Sequence, residues 1–260
     1  MRRVFAPILS ALLFGMMSQL CIADTVLITG ANSGIGLEFT KQFAAKGWTV
    51  IATHRHDGVP DTLQAVIRQF PKVRAERMDV TKPAEVSALA QKLKGMPIDV
   101  LLNNAGVYND RGNWATQNFG KMDYALFDTI MSANIKGPVL VTETFLPNVK
   151  ASGQKKVVSI SSTNGSLTEQ LPGTGAIWYR ASKAALNRAM QLVASTLKPE
   201  GITVLLLHPG AVRTERQKDV DYPDMVETPF TVKNMVETIG KASIKDTGRF
   251  MLYDGTDVPW

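Results

Sequence analysis

The chain has a single cysteine, Cys21, so an intramolecular disulfide and a cysteine-built zinc site are both excluded. It has no block of like charges. Lys and Arg number 29 and Asp and Glu 23, a net +6 whose sign suits an anionic ligand, a membrane surface or nucleic acid. The sequence shows no basic stripe and no aromatic stacking platform, and a nucleic-acid partner is therefore not expected. Internal repeats, low-complexity tracts and Pro/Ser-rich linkers are absent as well. What is present is ordinary globular material. Apolar residues make up 45% and charged residues 20% of 260 positions, enough chain to bury one large core.

The N-terminus differs from the rest. Arg2 and Arg3 precede an uncharged run from Val4 to Ala23, and Asp24 ends it. A basic start, an apolar middle and small residues (Cys21, Ala23) before a cut are the plan of a secretory leader, with cleavage after Ala23. Residues 1–23 are thus read as a leader and 24–260 as the working domain. Arg2-Arg3-Val4-Phe5 resembles a twin-arginine signal, a route for proteins exported folded. Two other readings stay open. Residues 4–23 could remain as a membrane anchor, or translation could start at Met16 or Met17 and leave the protein cytoplasmic. The first reading predicts a periplasmic or secreted protein.

From Thr25 onward, short β-rich runs alternate with longer amphipathic ones. Strands are expected at Thr25–Thr29, Thr49–His54, Val73–Met78, Ile98–Leu102, Lys156–Ser161, Ile202–Leu207 and Phe250–Tyr253. Helices are expected near Ile35–Lys46, Asp61–Gln69, Pro83–Leu93, Lys121–Ile135, Ile177–Leu197 and Val232–Ile239. Apolar strands between amphipathic helices imply a single α/β domain: a Rossmann-type, doubly wound parallel sheet of about seven strands with helices on both faces. Ligands of such sheets bind beyond the carboxyl ends of the strands.

Unusual residues cluster at those ends. The first strand runs into Thr29-Gly30-Ala31-Asn32-Ser33-Gly34-Ile35-Gly36. Glycines between a strand and a helix let the backbone approach a pyrophosphate, to which the helix N-terminus presents free N–H groups. Further on stand Asn103-Asn104-Ala105-Gly106, Asn134, Ser161-Ser162-Thr163-Asn164-Gly165, Tyr179-Arg180-Ala181-Ser182-Lys183 and Pro209-Gly210-Ala211-Val212-Arg213-Thr214. In spacing and order these resemble the TGxxxGIG, NNAG, serine, YxxxK and PG elements of the short-chain dehydrogenase/reductase family. YRASKAALN and the terminal YDGTDVPW look most like its subgroup of C-factor-like proteins and sniffer-type carbonyl reductases.

Tyr179 and Lys183 lie four apart and share a helix face. A lysine cation beside a phenol stabilises the phenolate. Lowering a pKa of about 10 by about 3 units takes roughly 4 kcal/mol. The resemblance implies that Tyr179 is the general acid in carbonyl reduction and that Ser162 holds the carbonyl oxygen. It implies that Lys183 also binds the nicotinamide ribose and that Asn134 holds a water for proton exchange. Ser162 and Tyr179 are seventeen apart, a few more than in most of the family, and Ser166 is the competing serine. Ser162 directly follows its strand and is preferred.

The cofactor's phosphate count is read at the second strand's end. NAD-preferring sheets carry Asp or Glu there, whereas this chain reads Thr53-His54-Arg55-His56. Arg55 suits a 2′-phosphate, and NADP(H) is predicted over NAD(H), which stays open. His54 and His56 could add to that phosphate contact; their HxH spacing lacks the further ligands of a metal site, and none is predicted. Asp79 and Val80 match the family's adenine-binding pair, and Pro209, Gly210, Val212 and Thr214 its nicotinamide-side segment. His208 reads as a packed strand-end histidine.

The implied activity is hydride transfer between NADP(H) and a carbonyl or secondary alcohol. The rival reading is a catalytically weak dinucleotide-binding protein with a signalling role. Substrate choice is assigned to Val107–Phe119, Ser166–Ile177 and Glu215–Phe230, which contain Tyr108, Trp114, Leu171 and Tyr222, with Trp178 beside them. The family habit implies a homodimer or homotetramer. Membrane contact is expected only through residues 4–23, if these are kept.

Overall fold

A computed structural model of the chain describes residues 23–108, 115–168, 175–215 and 224–260. Expectations resting on residues 1–22, and on Trp114, Leu171 and Tyr222, lie outside the described residues.

Seven strands are β1 (Thr25–Ile28), β2 (Thr49–His54), β3 (Val73–Arg77), β4 (Val100–Asn103), β5 (Lys156–Ile160), β6 (Thr203–His208) and β9 (Phe250–Leu252). They form one parallel sheet in the order β3-β2-β1-β4-β5-β6-β9. Residues alternate between faces along each strand, and two cores result. Val26 and Ile28 of β1 pack on one face with Phe39 and Phe43 of α1 (Gly34–Ala45), Leu63 of α2 (Asp61–Gln69) and Met235 of α7 (Thr228–Lys241). Leu27 points to the other face, into a cluster with Val86 of α3 (Pro83–Lys92), Phe145 of α5 (Gly137–Lys150) and Met190 of α6 (Ile177–Leu197). Burial on both faces explains why β1, β4 and β5 carry no solvent-facing position. Strand order reverses between β1 and β4, and a crevice opens at their carboxyl ends.

The expected strands are present, shifted by a residue or two at their ends. Two features differ from expectation. The helix expected to end at Ile135 instead comprises α4 (Ala125–Met131), a π turn over Ser132–Lys136 and then α5. Gly137-Pro138 reads as a breaker in a linear scan. Pro138 is tolerated because it stands in the first turn of α5, where the π turn has already changed the hydrogen-bond register. Gly137 is required by packing: a Cβ there would lie 2.9 Å from Val80 Cγ2. The second difference is a parallel ribbon of β7 (Val212–Arg213) and β8 (Val226–Glu227), too short to register as periodicity.

Candidate active site

A cavity of about 310 Å³ lies at the reversal point. Its lining includes Gly30, Asn32, Ser33, Gly34, Ile35 and Gly36 after β1, and His54, Arg55 and His56 after β2. Asp79 and Val80 after β3, Asn104, Ala105 and Gly106 after β4, and Thr214 complete most of the wall. These five separate parts of the sequence meet here because parallel strands all point their carboxyl ends the same way.

The glycine loop is built around close backbone contact. Gly30 (φ +65°) and Gly34 (φ +51°) take left-handed conformations. A Cβ on Gly36 would lie 2.2 Å from the Gly30 carbonyl oxygen and 2.5 Å from Asn104 Nδ2. Asn104 locks this arrangement by donating to the Thr29 and Gly30 carbonyls at 2.9 and 3.2 Å. Ser33 opens α1 without a side-chain cap, so the first-turn N–H groups keep their capacity for an anion.

At the far end of the cavity, His54 is 4% exposed, and among the described residues neither ring nitrogen has a hydrogen-bond partner. Burial, then His56 beside it, lowers its pKa. The two rings stack at 6.4 Å, and His56 Nε2 stands 3.5 Å from Asn32 Nδ2. Burial pushes the Asp79 carboxyl up, but two hydrogen bonds from Thr81, with Lys82 and Arg55 nearby, leave its pKa below the usual value. Orphaned imidazole nitrogens, an exposed guanidinium and a carboxylate around a glycine cradle fit the phosphate-ribose half of a dinucleotide.

The other cluster stands behind Tyr108. Tyr108 lines the cavity, and its ring meets that of Tyr179 edge-on, with centroids 6.4 Å apart and planes at 73°. Burial raises the Tyr179 pKa, a hydrogen bond with Ser162 opposes this, and Tyr108 adds to the rise. The Ser162 hydroxyl also accepts from Asn164 N at 3.2 Å, while Ser166 accepts from Thr168 N. Lys183 Nζ donates to the Ile160 carbonyl at 2.9 Å and sits 5.8 Å from the Tyr179 ring centroid. Burial brings its pKa down to about 8. Burial thus pushes the phenol in the direction opposite to the lowering that a neighbouring lysine cation would give. The helical spacing places the ammonium near the ring, and Ile160 decides where its charge points.

Asn134 is 1% exposed and its side chain is a bracket. Its Oδ1 accepts from Val107 N at 2.8 Å, and its Nδ2 donates to the Val107 carbonyl at 2.7 Å and to Ser182 Oγ at 2.9 Å. With both amide hydrogens engaged, the side chain positions the loop after β4 against α6 rather than presenting a donor to water. Three of the residues expected to bind cofactor are not among those that line the cavity. Val212 is buried in the β7–β8 ribbon, the Pro209 carbonyl accepts from Thr231, and Gly210 packs beside Tyr253. They precede Thr214, which does line the cavity. Tyr179 and Lys183 are likewise not among the residues that line the cavity; Tyr179 adjoins it through the ring of Tyr108.

Two residues matter here that linear reading passes over. Gln117, fully buried, links Tyr108 to Tyr179. Gly165 lets the serine turn press on the Lys183 backbone. The SxxG pattern touches Gly165 without giving its reason, and no local signal marks Gln117.

His208, at the end of β6, offers a pH test. Burial, then the Lys183 charge, pushes its pKa down to about 4, and its Nε2 lies 3.3 Å from Thr163 Oγ1. The unfolded chain takes up this proton near pH 6.5 and the folded one only near 4, so the fold loses stability as pH falls through that window. The loss is at most about 3 kcal/mol. Urea unfolding at pH 7 and pH 4.5 is expected to show a smaller difference for His208→Asn than for the parent. An unchanged difference would remove His208 as the source.

A short chain dehydrogenase family profile matches residues 24–224. The C-signal protein of Myxococcus xanthus is 40% identical over 165 residues, covering 63% of this chain and 93% of that protein. Among solved structures, the NADPH-bound carbonyl reductase from chicken fatty liver superposes with a TM-score of 0.83 at 30% identity, covering 92% of this chain and 99% of that one. The carbonyl reductase Sniffer of D. melanogaster superposes with a TM-score of 0.81 at 25% identity, covering 92% and 100%. With the profile spanning most of the chain and the ordered motifs gathered at one end of a parallel sheet, the protein belongs to the short-chain dehydrogenase/reductase family of oxidoreductases.

Proposed function

We propose that this protein is an NADP(H)-dependent carbonyl reductase. One observation carries the reading: a single cavity leads from the Arg55 guanidinium to Tyr108, whose ring abuts the Tyr179–Ser162 pair. A phosphate-selecting end and a proton-donating end are thereby joined. The NADPH seen in the chicken carbonyl reductase supports the cofactor assignment.

In this reading the Gly30–Gly36 loop and the α1 N-terminus hold the pyrophosphate, Asp79 and Val80 face the adenine, and Arg55 takes the 2′-phosphate. Asn104, Ala105, Gly106 and Thr214 form the wall of the nicotinamide half. The bound nicotinamide supplies the hydride. Ser162 donates to the substrate carbonyl oxygen and fixes it beside the Tyr179 hydroxyl, which gives its proton to that oxygen. A phenol held protonated by burial suits this direction of reaction. Lys183, with a pKa of about 8, keeps most of its charge at neutral pH and stabilises the phenolate left behind. Asn134 holds residue 107 against α6, so that the cavity wall and the proton donor keep their spacing.

The cofactor assignment has a direct test. Arg55→Ala is expected to weaken NADPH binding about 10- to 100-fold, the worth of one charge-assisted pair, with NADH binding changed less than about twofold. Fluorescence titration with both nucleotides measures this. Equal effects on the two would remove Arg55 as the phosphate reader. Parent protein that binds NADPH yet reduces nothing in a broad panel of aldehydes, ketones and quinones would favour the signalling alternative.

A further inference from the structure

Gln117 lies in a short turn over Ala115–Gln117, within the segment that follows β4 and outside the sequence motifs of the site. Its side chain has no exposure to solvent. A buried primary amide is costly unless both ends are bonded, and here both are. Nε2 donates to the Tyr108 carbonyl at 2.6 Å, and Oε1 accepts from the Tyr179 backbone N–H at 2.9 Å. The Tyr179 N–H belongs to the first turn of α6, where no intrahelical acceptor exists, and Ala176 at the N-cap supplies no side-chain bond. Gln117 therefore serves as a long-range cap at the one turn that carries the phenol.

The arrangement has a counterpart one turn further along. Asn134 ties Val107 to Ser182 as Gln117 ties Tyr108 to Tyr179. Two buried amides thus clamp consecutive residues of the cavity wall to consecutive turns of the same helix. Removing one clamp leaves the helix and the wall intact but frees their relative position at Tyr179. The geometry points to Gln117 as a positioning residue that sets the Tyr179 phenol against Tyr108 and the substrate carbonyl. This rests on the reading of Tyr179 as proton donor.

Two substitutions test it. Gln117→Met fills the same space with no hydrogen bond. Gln117→Glu is a near-isostere only while protonated, when its O–H can donate to the Tyr108 carbonyl and its C=O can accept from Tyr179 N–H. As a carboxylate it loses the donor and faces the Tyr108 carbonyl as a second acceptor. For Gln117→Met, kcat is expected to fall about 10- to 100-fold at every pH, the range expected for a misplacement of about 1 Å, with NADPH affinity within about twofold of the parent. For Gln117→Glu, kcat is expected near the parental value at low pH and to fall as pH rises through the new carboxyl's titration. Its melting temperature relative to the parent is expected to fall over the same interval, a readout that needs neither cofactor nor turnover. Parental kcat for both variants across the range would overturn the proposal. So would equal, pH-independent losses in both, which would mark Gln117 as packing alone. Failure of the proton-donor reading shows separately, as full activity in Tyr179→Phe with Gln117 intact.

Discussion

Tyr179→Phe is expected to lower kcat/KM for carbonyl reduction by about a thousandfold while leaving NADPH affinity within about twofold. A positioned general acid contributes roughly 10²- to 10⁴-fold, and this substitution removes the acid alone. The aromatic ring remains, and with it the edge-on contact to Tyr108 at 6.4 Å. The Tyr179 N–H still donates to Gln117, so α6 keeps its cap. The Ser162 hydroxyl loses the phenol but retains Asn164 as a donor. None of the cavity-lining residues changes, and nucleotide binding has no reason to weaken. Steady-state rates on a carbonyl panel, with NADPH fluorescence titration on the same samples, measure both sides. Activity persisting near the parental level would end the enzyme mechanism proposed above. Lost NADPH binding would instead make Tyr179 a cofactor ligand first and a proton donor second.

Gly165→Ala is expected to cost about 2 kcal/mol of stability and to lower kcat by about a hundredfold, with little change in NADPH binding. A Cβ at this position would lie 2.5 Å from the Lys183 carbonyl carbon, 2.7 Å from its oxygen and 2.8 Å from Ala184 N. All three are backbone atoms inside a long helix, so no side chain can swing aside. The serine turn must retreat instead, and Ser162 begins that turn. The Gly165 N–H donates to the Ser162 carbonyl at 2.8 Å, which transmits the displacement directly to the hydroxyl that meets Tyr179. Gly165 is not among the residues that line the cavity. Thermal unfolding and kcat measured well below the melting temperature separate the two effects. A destabilised protein with parental kcat would show that Ser162–Tyr179 spacing does not limit the rate.

The sequence by itself determined the parallel sheet, since apolar runs such as Thr25–Ile28 and Lys156–Ile160 can be buried only between two helical layers. It also determined the glycine loop, because Gly30 and Gly34 take backbone angles that other residues rarely adopt. These features rest on local periodicity and local conformation, which a linear reading can see. The run from Ala125 to Lys150 was less legible, because Gly137-Pro138 signals a break that the π turn and the packing on Val80 override. Charge and proton placement were decided only by the tertiary structure. The spacing of Tyr179 and Lys183 puts them on one helix face but leaves the ammonium's partner unspecified, and that partner is the Ile160 carbonyl. Burial, with Tyr108 seventy-one positions away adding to it, raises the phenol's pKa where a lysine cation would lower it. Gln117 reaches Tyr179 across sixty-two residues. Desolvation and hydrogen bonding depend on distances that close only when the layers pack, and no spacing along the chain encodes them.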